Sequence, residues 1–356
     1  MRATMALRTA NAFMLFAAML FGWVNAASAE DAPMPGLIAI PADHDSDLKF
    51  YAADGSVLTG SEALSRMRDA NLTLWVAGNQ FFAMDKVIGD FQRSSPGATV
   101  GLITLPPGLI LSAILGGGWT YRGQDYRATP DIYASVNSEH LKKLKAAGLM
   151  SHYAIYMHNE LQIMVAKNNP KHITGIDDLV RDDIRTSMPN PVSEGIMQFY
   201  ARKVLEHHGI WQRISGGKEC MACQTTANNW FTAVHHRETP RRILDGKSDA
   251  GIVWKTEVLE ARRGGAEVDA VELTAADSLR NEVSYAIGAL DNSKHKQVAD
   301  RYLAFVTGLD GQAAYMSFGF VGASVSELQM KPIEQIAYPR CRHRTTTCLP
   351  ARRLAN

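Results

Sequence analysis

The chain has 356 residues, of which 46% are hydrophobic and 21% charged. That is an ordinary globular composition, with enough apolar mass for one large core or two medium ones. Its 37 basic and 36 acidic side chains leave a formal net charge of +1, which gives no argument for nucleic acid or another strongly charged partner, so any recognition of charge must be local.

Arg2 and Arg8 flank the start of a nearly all-apolar run at 11–25, and Ala27-Ser28-Ala29 supplies a small-x-small cleavage pattern. Residues 1–29 are therefore expected to be a secretory signal peptide. The run is shorter than the roughly 20 residues that a membrane-spanning helix needs, so the mature protein is expected in the periplasm. Residues 30–70 read as an N-terminal extension. Pro33, Pro35 and Pro41 break its start, a strand and tight turn follow at 48–56, and a short helix opens at Ser61.

From residue 72 the pattern becomes regular. Leu72-Thr73-Leu74-Trp75-Val76 predicts a buried strand running into Gly78-Asn79-Gln80 and a helix over 82–93. A strand at 99–104 leads into Pro106-Pro107-Gly108 and another helix. A third strand at 131–136 is followed by a helix over 140–147. Strands at 161–166, 184–188 and 250–254 come next, with a short helix at 176–180, a long one at 196–207 and a mostly helical stretch at 230–244. Strand and helix alternating in this way argue for an α/β fold with helices on both sheet faces. Residues 331–356 form a C-terminal tail, whose stretch from 338 is basic and poor in apolar residues.

Five stretches carry a resemblance to a known family. They are LTLWVAGNQFFAMDKVIGDFQ at 72–92, TPDIYASVNSEHLKKLKAAGLM at 129–150, NELQIMVAKNNPKHITGIDDL at 159–179, DGKSDAGIVWKTEV at 245–258 and YLAFVTGLDGQAAYMSFGFVGAS at 302–324. In this order they resemble the molybdate-binding family of periplasmic solute-binding proteins. The resemblance implies the two-lobed type 2 periplasmic-binding-protein fold, with mixed sheets flanked by helices and two crossover strands at the hinge. Lobe 1 would hold 71–158 and 283–330, and lobe 2 would hold 159–282. It implies a monomeric receptor that closes on a small ligand, an oxyanion such as molybdate, and delivers it to an ABC permease of the inner membrane. No cofactor is expected.

In an open α/β sheet, ligands bind beyond the carboxyl ends of the strands. Helix N-termini there offer unpaired N–H groups to anions. Four loops qualify: 78–80, 104–108, 190–195 and 254–256. Mapping the family's ligand loops onto them gives Asn79, Thr104, Ser193 and Thr256 as direct contacts, with Gly195 and Lys255 as further candidates. Ser193 is equally readable as a helix cap, and Asn79 as a turn residue. Leu105-Pro106-Pro107 stands where the family shows small serine- and glycine-rich residues.

Residues 220–242 crowd two thiols, two imidazoles and three arginines into one segment. Cys220 and Cys223 form a Cys-x-x-Cys pair, which suits a local disulfide, a metal site or a redox-active pair. Cys341 and Cys348 are the other disulfide candidates. A second function class follows, a metal-ion receptor or chaperone using Cys220, Cys223, His235 and His236. Against it, adjacent residues on a helix point about 100° apart, so His235 and His236 would rarely meet one ion. There is no nucleophile elbow, HExxH or P-loop, so no enzyme is expected.

Overall fold

The computed structural model describes residues 36–40 and 44–334. The signal peptide, Cys341 and Cys348 lie outside these residues. Two mixed sheets organise the chain. Among the described residues the larger has nine strands. Its centre is Leu72–Ala77, paired in parallel with Val100–Leu105 on one side and Ile132–Ser135 on the other. Ser284–Ala289 and His152–His158 continue it antiparallel. The central strand is apolar at nearly every position because helices cover both faces. The helix Phe81–Ser94 shows why: Met84, Val87, Ile88 and Phe91 are all buried at helical spacing.

The smaller sheet runs Cys223–Gln224, Asn229–Phe231, Thr186–Met188, Ala250–Trp254, Leu161–Ala166 and Val268–Val271. The chain passes between the sheets twice, at Asn159-Glu160 and again between Val271 and Ser284. The two halves touch along a seam. The Gly108 N–H donates to the Ser193 carbonyl at 3.2 Å, and the Tyr200 hydroxyl donates to the Val136 carbonyl at 2.8 Å.

Three expectations change. The segment at 30–70 is not simply appended: Leu48–Tyr51 pairs antiparallel with Val100–Leu105 and carries Val57–Thr59 on its outer side. The tail does not begin cleanly at 331, since Lys331–Pro332 pairs with His152–His158 and Ile333 is buried. The stretch 230–244 is not helical throughout. Asn229–Phe231 is a strand, held extended by parallel pairing with Thr186–Met188, and the helix starts at His235. Pro240 sits inside that helix and withholds an N–H from the His236 carbonyl.

Candidate functional site

The loops at the carboxyl ends of the central strands converge on the seam. Gly78-Asn79-Gln80 forms one tight turn after Leu72–Ala77, with Asn79 and Gln80 buried. The Asn79 side-chain amide donates to the Tyr285 hydroxyl. That hydroxyl also accepts from Asn159 Nδ2 at 3.2 Å, and the same nitrogen donates to Thr256 Oγ1 at 2.9 Å. Asn79 and Thr256 thus belong to one buried chain of polar groups spanning both sheets. Asn79 Oδ1 and Gln80 Nε2 have no hydrogen-bond partner among the described residues. Gln80 Oε1 accepts from Tyr156 at 2.6 Å.

The other candidates go elsewhere. Thr104 is buried and donates to Asp47 Oδ1 at 3.1 Å. Ser193 does not cap a helix. Asn190 does the capping locally, its Oδ1 accepting the N–H groups of Val192 and Ser193 at 2.9 and 2.8 Å. Gly195 allows close approach, because a Cβ there would stand 2.6 Å from Val136 Cγ2 and 2.8 Å from Pro107 Cγ. Lys255 is tied to Glu160 at 2.6 Å.

Two charged clusters were not anticipated in this form. In the first, Asp47 is fully buried and takes the Thr104 hydroxyl, the Arg237 guanidinium and the His44 ring around its two oxygens. Arg237 comes from the small-sheet half and Thr104 from the large one. In the second, His235 lies between two buried carboxylates. Its Nδ1 is 2.6 Å from Glu194 Oε2 and its Nε2 is 3.0 Å from Glu257 Oε1. Burial alone would pull the His235 ring down, but Glu257 and Glu194 outweigh it and push it up to about 10. Burial raises Glu257 above the usual carboxylate range, although His235 opposes the shift. His236 is stacked on Phe81 at 5.0 Å and held well below the ordinary imidazole range, by burial first and then by His235, Arg237 and His44.

Cys220 and Cys223 are joined as a disulfide, so their sulfurs are not metal ligands. The 100° separation does not keep the two rings apart at this helix start: ligand atoms of His235, His236 and Glu257 all lie within 4.8 Å of one another. The two histidines open the helix, straight after an extended Val234. Both rings fold inward toward the first turn of the next helix, which carries Glu257. A surface cavity of about 810 Å³ is lined by His152, Asp291, Lys296 and Asp300 among others. It sits at the opposite end of the large sheet from these loops and gathers no comparable buried cluster.

The pattern of the family described as bacterial extracellular solute-binding protein matches residues 72–321. This chain belongs to that family. Among curated solute-binding relatives it is similar to the molybdate-binding protein ModA of Mycobacterium tuberculosis, 22% identical over 252 residues, 70% of this chain and 84% of the relative. Among solved structures it is similar to the periplasmic molybdate-binding protein of Azotobacter vinelandii, with 16% identity and a TM-score of 0.56 over 71% of this chain and 100% of that one. The substrate-binding protein of an ABC transporter from Agrobacterium tumefaciens gives 16% identity and 0.57 over 77% and 83%. These two share the type 2 periplasmic-binding-protein fold with this solute-binding protein. Its family is one of binding proteins rather than enzymes.

Proposed function

We propose that this chain is the periplasmic receptor of an ABC importer, and that it captures a small oxyanion of the molybdate kind between lobe 1 (71–158 and 283–330) and lobe 2 (159–282). The observation that carries the oxyanion reading is the Asp47 carboxylate. It is a built-in anion, and donors from both halves already converge on it. An incoming oxyanion that displaced Asp47 would inherit the Thr104 hydroxyl and the Arg237 guanidinium, a charge-assisted pair suited to it. Because these donors come from opposite sides of the seam, one anion bound to both draws the halves together about the two crossings.

The molybdate-binding relative supports the same charge class. Asn79, Ser193 and Thr256 serve the ligand by exchanging their internal partners for it. Gly195 keeps the backbone close, and Lys255 contributes only if it leaves Glu160. The receptor acts as a monomer, makes and breaks no bond, and passes its cargo to an inner-membrane permease after export through a cleaved signal peptide. The family's extracellular description supports that location.

The test is a thermal-shift and calorimetric screen with molybdate, tungstate, sulfate and phosphate. A bound oxyanion must raise the melting temperature by mass action. Thr104→Ala and Arg237→Gln should each weaken binding about tenfold, the scale of one lost hydrogen bond to a charged group. Asp47→Ala, which removes the competitor, should tighten it. Unchanged affinity in the first two variants would sink this pocket. A screen with no oxyanion response would sink the ligand class.

A further inference from the structure

We infer that His235, His236 and Glu257 form a binding site for a divalent transition-metal cation, built beside the oxyanion pocket from different residues and beyond the function proposed above. The three are buried, and their ligand atoms cluster within 4.8 Å. Four side-chain atoms of these residues lack a hydrogen-bond partner among the described residues: His235 Nε2, both ring nitrogens of His236, and Glu257 Oε1. Leaving such groups buried and unsatisfied is costly. A cation would engage three of them at once.

The spacing also suits coordination. His235 Nε2 and Glu257 Oε1 are 3.0 Å apart, yet neither makes a hydrogen bond of acceptable geometry. Two ligands of a tetrahedral ion at about 2.0–2.1 Å stand roughly 3.3 Å from each other. The outer partner is in place as well. Glu194 Oε2 accepts from His235 Nδ1 at 2.6 Å, which fixes the tautomer that turns Nε2 toward Glu257. A carboxylate behind a metal-binding histidine is the usual means of orienting the ring. Two imidazoles and one carboxylate suit zinc, cobalt, nickel or ferrous iron over calcium or magnesium.

Entry is provided by a cavity of about 320 Å³ lined by Phe81, Phe82, His236, Pro240 and Glu257 among others. His236 also reaches across the seam. Its Cε1 stands 3.0 Å from where a Cβ on Gly78 would be, and its ring stacks on Phe81 of the large-sheet half. A cation held by His236 therefore sits against both halves. The alternative is a permanent imidazolium between two carboxylates, with His236 playing no part.

The experiment uses untagged mature protein, stripped with chelator and titrated with Zn²⁺ and Co²⁺. Calorimetry, elemental analysis after dialysis and the Co²⁺ visible spectrum are the readouts. The expected result is one saturable equivalent with a tetrahedral or five-coordinate Co²⁺ spectrum. His236→Gln and Glu257→Gln should each weaken binding at least tenfold, and Glu194→Gln by ten- to a hundredfold as a positioning residue. Wild-type protein that binds neither ion overturns the inference whatever the variants do. So does wild-type affinity in folded His236→Gln and Glu257→Gln. Molybdate is titrated on the same samples. Metal uptake without molybdate uptake supports this site and sinks the oxyanion pocket, and the reverse overturns this site alone.

Discussion

The first turn of the helix His235–Leu244 feeds two buried clusters that balance their charge in different ways. Arg237 reaches Asp47, where Thr104 and His44 complete the set and each carboxylate oxygen has a partner. His235 and His236, two and one residues earlier, reach Glu194 and Glu257, and there acceptors and donors are left over. The first cluster is closed by the chain's own side chains, whereas the second keeps unpartnered atoms beside its ion pairs. The difference teaches that internal pairing sets how a ligand must enter: at the first cluster it has to displace Asp47, whereas at the second it meets atoms that have no partner.

Substitutions can break this contrast. The largest effect is expected from Glu194→Ala, which strips His235 of one of its buried counter-charges. A loss of about 3–5 kcal/mol should appear in urea melts, and a loss under about 1 kcal/mol would mean that the cluster is better hydrated than its burial implies. Arg237→Ala should cost less, about 1.5–3 kcal/mol, because Asp47 keeps Thr104 and His44. If the two losses were equal, the first cluster would be no more closed than the second.

Removing the Cys220–Cys223 bridge by paired Cys→Ser substitution should cost about 2 kcal/mol at most, since the cross-link closes only a four-residue loop. Metal affinity should be unchanged, which sharpens the assignment of ligands to the histidines. The smallest effect lies away from both clusters. Hydrogen bonding to Asp277 leads the causes that raise His208, and Asp177 adds to it. A raised histidine contributes stability that is full below its unfolded value of about 6.5 and lost as pH climbs through the folded value. His208→Gln should flatten that decline, by no more than about 1 kcal/mol for so exposed a group, as read from melts across pH 5 to 9.

The comparison also bears on what could be read from residue order. The strand at 72–77 and the helix after it were legible because an unbroken apolar run ends in Gly-Asn-Gln and then turns helically periodic. The loops that meet at the seam were legible for the same reason, since strand ends are. What those loops bond to was not. Asp47 lies in a short DSD turn whose meaning depends on Arg237, 190 positions away. Tyr285 and Asn159 look like ordinary strand and loop residues until the two sheets bring Asn79 and Thr256 against them. Trp230 was misread because helical spacing in the sequence cannot reveal that Thr186–Met188 offers a strand to pair with. The inward fold of both histidines was missed because a rule for mid-helix neighbours was applied to a helix start.

Leu48–Tyr51 hydrogen-bonds along the flank of Val100–Leu105, and it precedes the family-matched region, which starts at residue 72 and includes Val100–Leu105. A shortened gene product beginning at that boundary would bare a fully buried six-residue ribbon edge that is apolar at all but Thr104. Such an edge recruits its own kind into intermolecular sheets. For anyone trimming the protein to its conserved-looking segment, insolubility rather than lost affinity would be the first symptom.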